Sequence, residues 1–229
     1  MDTLLAKAEK IDGYRAACAN SEYNTLARPG HYTFFQSDLQ DKLQHIADHY
    51  DLTKGSTVIT LHPSADSGFP HTRPTNLICM PANFPLENAT QTLMHEACHL
   101  DQRNNSAPWV SYSIRQGWWP VNSLEIPEKW RDRVRINPDT MAHPFWSWKD
   151  HHIPIPLFTN ELNPKLNECT VRWFDRRNLT LYKEAPPSFI ERYGNSPSQP
   201  EHPYEVSAVE FSARGIKTKK DLMNVLLTE

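Results

Sequence analysis

Apolar residues recur at three- and four-residue steps near the amino terminus: Leu4, Leu5, Ala8, Ile11, Tyr14 and Ala17. That period predicts a helix over 3–19, interrupted at Gly13. Residues 21–35 lack it and read as a loop, or as a short strand around Tyr32-Thr-Phe-Phe35. Ser37 suits an N-cap and opens a second helix over 38–50, with Leu39, Leu43, Ile46 and Ala47 on one face. Thr57-Val-Ile-Thr-Leu61 and Asn76-Leu-Ile-Cys-Met80 are apolar runs of strand length. The stretch between them, 62–74, is turn-rich, and Pro81-Ala-Asn-Phe-Pro85 stops the second strand.

From Gln91 to Arg103 there is no Gly or Pro, and Leu93, Met94, Ala97, Cys98 and Leu100 make the run largely apolar. This predicts a mostly buried helix with Asn88 as its N-cap. Beyond it, Trp109, Trp118, Trp119, Trp130, Trp146 and Trp148 alternate with prolines. That stretch reads as a partly helical region packed by its aromatics, or as an aromatic wall or lid over a ligand. Helices are expected from Pro164 onward, as one turn at Phe189–Tyr193, over 201–213 with Pro203 in the first turn and Gly215 as stop, and over 219–227.

These elements imply an α+β fold. A small, mainly antiparallel sheet precedes the buried helix, and a mostly helical, Pro- and Trp-rich part follows it. The expected organisation is one domain over 1–229. It comprises an amino-terminal part (1–103), a Trp/Pro-rich insertion (104–200) and a closing helical part (201–229).

Composition narrows the function classes. A net charge of −3 offers no basic field for nucleic acid or an anionic membrane. No apolar run reaches membrane-spanning length, and the first residues lack a signal-peptide core, so a cytoplasmic protein is expected, with a phage or virus as a compatible source. Cys18, Cys79, Cys98 and Cys169 form no CxxC pair and indicate no zinc ribbon.

The buried helix carries the chemistry. His95 and His99 stand four apart and share one helix face, so two imidazoles can meet one metal ion. Glu96, one step round, can reach a water on that metal as general base. His45 and His49 are also four apart, but Ile46 follows the first, and they read as surface or packing residues. Catalytic zinc takes three protein ligands, so the chain must supply one more. The extension HExxHxxGxxH is absent, since Gln102 and Asn105 occupy its Gly and His positions.

Thr92-Leu-Met-His-Glu-Ala-Cys-His-Leu100 resembles the extended motif of the zincin metallopeptidases. Asp101-Gln102 is similar to the continuation in compact metallopeptidases of phage and bacterial type. The resemblance covers this helix and one later helix. It implies a gluzincin-like zinc (Zn²⁺) peptidase acting on a peptide or protein substrate, which would pair with the strand nearest the site. It also implies a third ligand from a glutamate on a second helix. His202-Pro-Tyr-Glu205-Val-Ser-Ala208 is similar to the Pro-x-Glu-x-x-Ala helix that supplies it, and Asn167-Glu168 is the competing candidate. The metal set is therefore His95, His99 and Glu205, with Glu96 as catalytic base. Asp101 and Glu210 are expected to orient the imidazoles, and His202, Tyr204, Tyr193 or His143 to face an oxyanion. A zinc-binding structural or assembly protein of the same fold is the alternative, with a non-peptidase metal hydrolase as a third.

Overall fold

A computed structural model of the chain describes residues 2–149, 151–195 and 198–229. The first helical period divides into α1 (Asp2–Asp12) and α2 (Tyr14–Ala19) at Gly13, whose φ of 60° is left-handed and suits glycine. The stretch read as a loop holds a short helix, α3 (Glu22–Leu26), whose cap Ser21 accepts the N–H of Asn24. Five residues show no period, so the cap is its only local signal. Phe34 makes an isolated bridge to Leu61 instead of a strand. Helix α4 (Asp38–Asp48) begins at Ser37, whose hydroxyl accepts the N–H of Leu39.

The first sheet contains β1 (Thr57–Leu61), β2 (His71–Arg73) and β3 (Leu77–Pro81) in the order β1-β3-β2. β1 pairs with β3 in parallel and β2 with β3 antiparallel, so this sheet is mixed rather than mainly antiparallel. β2 lies inside the expected loop because its buried residues are polar: Arg73 is held by Asp12 and Glu9 of α1. Two-residue alternation sorts the faces. Ile59, Leu61, Leu77 and Cys79 pack on Leu5 and Ala8 of α1. Val58, Ile78 and Met80 join the main core with Leu43 and Ala47 of α4 and the helix that follows the sheet, α5 (Ala89–Asn104). Asn88 sits at the N-cap of α5, but its side chain makes no capping bond.

Helix α6 (Ser106–Arg115) follows α5 directly. The second sheet is an antiparallel meander of β4 (Trp118–Pro120), β5 (Trp146–Trp148), β6 (His152–Phe158), β7 (Cys169–Asp175) and β8 (Thr180–Tyr182). The short α7 (Glu128–Arg131) lies between β4 and β5. The region expected to be mostly helical thus carries the larger sheet. The helix predicted from Pro164 is a single 3-10 turn at Leu166–Glu168 followed by β7. Its Thr, Val, Trp and Phe suit a pleated surface, and that preference overrides the weak helical period.

Pro154 and Pro156 sit in β6 without breaking it. Arg135 N–H donates to the carbonyl of Pro156, and Phe158 N–H to that of Arg133. These even-numbered residues therefore turn their backbone away from β7, toward the segment 133–136, and no ladder donor to β7 is lost.

One face of this sheet supplies Trp146, Trp148 and Trp173 to the main core, where they meet Trp118 and Phe189 of α8 (Pro187–Tyr193). Trp118–Trp148 and Trp148–Phe189 contacts are edge-on at 5.5 Å. The aromatics are structural, and no tryptophan among the described residues lines the cleft of the candidate site. Helix α9 (Pro203–Ala213) lies against α5, and α10 (Lys219–Thr228) packs on α6. Gly215, with φ of 72°, follows α9 as expected. Among the described residues no helix is long and apolar enough to cross a membrane.

Candidate metal centre

Helix α5 fixes two side chains of the site by its pitch alone. His95 and His99 project from one face, and their Nε2 atoms stand 3.0 Å apart. Opposite them, Glu205 projects from the first turn of α9, where the helix N-terminus favours a negative charge. Its Oε2 lies 3.4 Å from His95 Nε2 and 3.3 Å from His99 Nε2. One ligand atom from each of the three residues falls within 4.8 Å of the others. Ala208, one turn beyond Glu205, is fully buried in the core that joins the two helices. Its small side chain permits the close approach.

Hydrogen bonds set the orientation of His99. Gln102 donates through Nε2 to the carbonyl of Tyr204 at 3.1 Å, which fixes its amide oxygen on the other side. That oxygen lies 2.7 Å from His99 Nδ1 and can only accept, so Nδ1 carries the proton and Nε2 presents its lone pair. The expected orienting residues do other work. Asp101 accepts from Trp109 Nε1 and Asn105 Nδ2, tying α5 to α6, and Glu210 pairs with Arg192 and Arg214. Gln102 carries no charge, and the resemblance at Asp101-Gln102 assigned it no role, which is why its part in the site was not read from the sequence. Its position three residues after His99, on the same face, was the available signal.

The electrostatics suit a cation. Burial alone would raise Glu205, but the His99 and His95 rings hold it well below the usual carboxylate range. Burial opposes a charge on His99, yet Glu205 and Asp139 outweigh it and raise the ring to about 10. A proton and a metal ion are therefore alternative partners for the same atoms. Glu205 Oε2 is buried and makes no hydrogen bond, an arrangement that costs free energy unless a positive centre faces it. Two imidazole nitrogens and one carboxylate oxygen are a donor set that zinc accepts.

Glu96 is buried on the same helix and lines the cleft, and its Oε2 also lacks a hydrogen bond. Burial, reinforced by Asp139 and Glu205, pushes its carboxyl well above the ordinary value. The cleft has a volume of about 590 Å³ and opens onto Phe69, Phe84, His71, Arg28 and Asn137.

Glu168 lies outside this site, exposed and paired with Lys165 at 2.8 Å. None of the four residues expected to face an oxyanion lines the cleft. His202 caps α9: its Nδ1 accepts the N–H of Tyr204, and Nε2–H donates to the carbonyl of His143. Tyr193 accepts from Trp118, Tyr204 packs between Trp109 and Trp146, and His143 is exposed. Asn137, which sequence reasoning missed, donates to Glu205 Oε1 at 2.5 Å. The surface pair His45 and His49 gathers no third ligand among the described residues.

The edge of β2 beside the cleft is already engaged. Thr72 N–H and hydroxyl both reach Asp139 Oδ1, at 2.8 and 2.5 Å, and Arg103 donates to the Thr72 carbonyl at 3.4 Å. Comparison of the chain with protein-family models, with curated proteins and with solved structures found no match.

Proposed function

We propose that the protein is a zincin-type zinc metallopeptidase, with His95, His99 and Glu205 holding the metal and Glu96 as general base. The observation that carries this reading is the convergence of two Nε2 atoms and an unbonded, buried Glu205 oxygen within 4.8 Å. The order of elements is compatible with it: a small sheet, the HExxH helix, then a second helix bearing the glutamate. Zinc bound there would supply a Lewis acid that polarises a carbonyl and lowers the pKa of water.

The residues of the chain do the rest. Glu96, buried beside the ligands and lining the cleft, would take a proton from water and return it to the departing amine. Gln102 keeps His99 in the one tautomer that can ligate. The α5–α9 contact excludes solvent from behind the ligands.

The test is the Glu96→Gln variant. It should retain zinc, measured by mass spectrometry of the native protein, and lose about 10²–10⁴-fold in hydrolysis of a peptide library. Undiminished, chelator-sensitive cleavage by that variant would remove Glu96 from its role. A second reading, a zinc-binding structural or assembly protein without turnover, is favoured by one observation: Asp139 occupies the outward donor of β2 where an extended substrate would pair. Bound zinc with no chelator-sensitive cleavage by the wild type would select it.

A further inference from the structure

We infer that Asn137 is a positioning residue that restricts Glu205 to ligation through a single oxygen; the inference rests on the metal-site reading above. The two faces of the Asn137 amide are assigned by their partners. Its Oδ1 receives the backbone N–H of Asp139 at 3.0 Å, and a backbone N–H can only donate. The NH₂ group must therefore face Glu205, where it donates to Oε1 at 2.5 Å. Glu205 is left with one oxygen bonded to a donor and one, Oε2, turned to the imidazoles with no hydrogen bond.

The amide cannot follow the carboxylate if the carboxylate shifts, because both flanks of Asn137 are tied down from other elements. On one side, Asn24 of α3 bonds the carbonyl of Val134 and the N–H of Ile136, at 2.8 and 2.9 Å. Arg28 donates to the carbonyl of Ile136 at 2.6 Å. On the other side, Arg103 of α5 donates to the carbonyl of Pro138 at 3.2 Å, and Thr72 of β2 holds Asp139. Asn137 is thus a fixed donor aimed at a buried anion.

This has a chemical consequence. A carboxylate free to use both oxygens could fill two positions on a small cation. One oxygen engaged by Asn137 leaves three protein atoms on the metal, which keeps a position open for water or substrate. Outer partners of metal ligands act in this way, and their loss weakens binding about 10–100-fold.

The experiment has two arms on the full chain. Asn137→Ala should bind Zn²⁺ about 10–100-fold more weakly in competition with a chromophoric chelator, with unchanged far-UV circular dichroism. Zinc K-edge X-ray absorption of the loaded wild type should fit two imidazoles and a Glu205 carboxylate bound through one oxygen, beside water in the open position and without the short zinc–carbon distance of a carboxylate bound through both oxygens. Wild-type affinity in the variant, or two Glu205 oxygens on zinc in the wild type, overturns the inference. If the variant does not fold, the absorption spectrum of the wild type decides alone. A wild type that takes up no zinc overturns the metal-site reading itself, which is a different result from a zinc protein indifferent to Asn137.

Discussion

His202 shows how much a single side chain can be asked to do. It lies outside the metal set, yet it caps the helix that carries Glu205 and is buried with both ring nitrogens engaged. Burial lowers its pKa to about 4, so the folded protein holds it neutral where an unfolded chain, near 6.5, would take a proton. The stability this provides is present above about pH 6.5 and is lost as the pH falls toward 4, by about 3 kcal/mol. Equilibrium denaturation of the wild type and of His202→Asn at pH 7 and pH 4.5 checks this. Asparagine keeps a capping acceptor but no proton, so the variant should lose less stability over that interval. At this scale the sequence was informative where chemistry is tied to spacing: His95, Glu96 and His99 declare themselves on one helix turn. Gln102 and Asn137 did not, because a neutral amide has no signature until its partners are known.

At the scale of elements, legibility followed hydrophobic pattern. β1, β3 and α5 were readable as apolar runs, α4 by its helical period, and α9 by Pro203 in its first turn and Gly215 after its end. β2 was not: His71, Thr72 and Arg73 are buried by hydrogen bonds and charge rather than by apolar character. β6 and β7 were obscured by prolines and by a short apolar run that fits either period. The hidden strand has a measurable cost of removal. Arg73 is fully buried, bonded to both oxygens of Asp12 at 2.7 Å and to Glu9 at 2.8 Å. Arg73→Met should destabilise the protein by about 3–5 kcal/mol in urea titration, because Asp12 is left as a buried charge without its partner. A change below about 1 kcal/mol would mean that α1 is not anchored through this contact.

The whole molecule is what brings the site together. His99 and Glu205 are more than 100 residues apart in the chain, with the second sheet between them. Spacing alone could not vouch for their meeting; a shared core of α5, α6, α9 and the tryptophan face does. A metal ion that binds all three ligands recognises the folded state and little of the unfolded one. Zinc at about 100 times its dissociation constant should then add about 2.7 kcal/mol of stability. Calorimetry should show the melting temperature rising with zinc and falling back with chelator in the wild type and in Glu168→Ala. Glu205→Ala should show neither change, and a full zinc-dependent rise in that variant would remove Glu205 from the ligand set.

The bond from Thr72 to Asp139 has a kinetic meaning under the peptidase reading. An incoming chain that pairs with β2 does not find an empty edge; it meets a rival tethered to the same molecule. The tether gives Asp139 an effective concentration in the millimolar range or above, which a dilute peptide must outcompete. Short peptides, with few other contacts, would be turned away, and chains long enough to bind along the cleft as well would displace the rival. Such an edge selects for length before it selects for sequence.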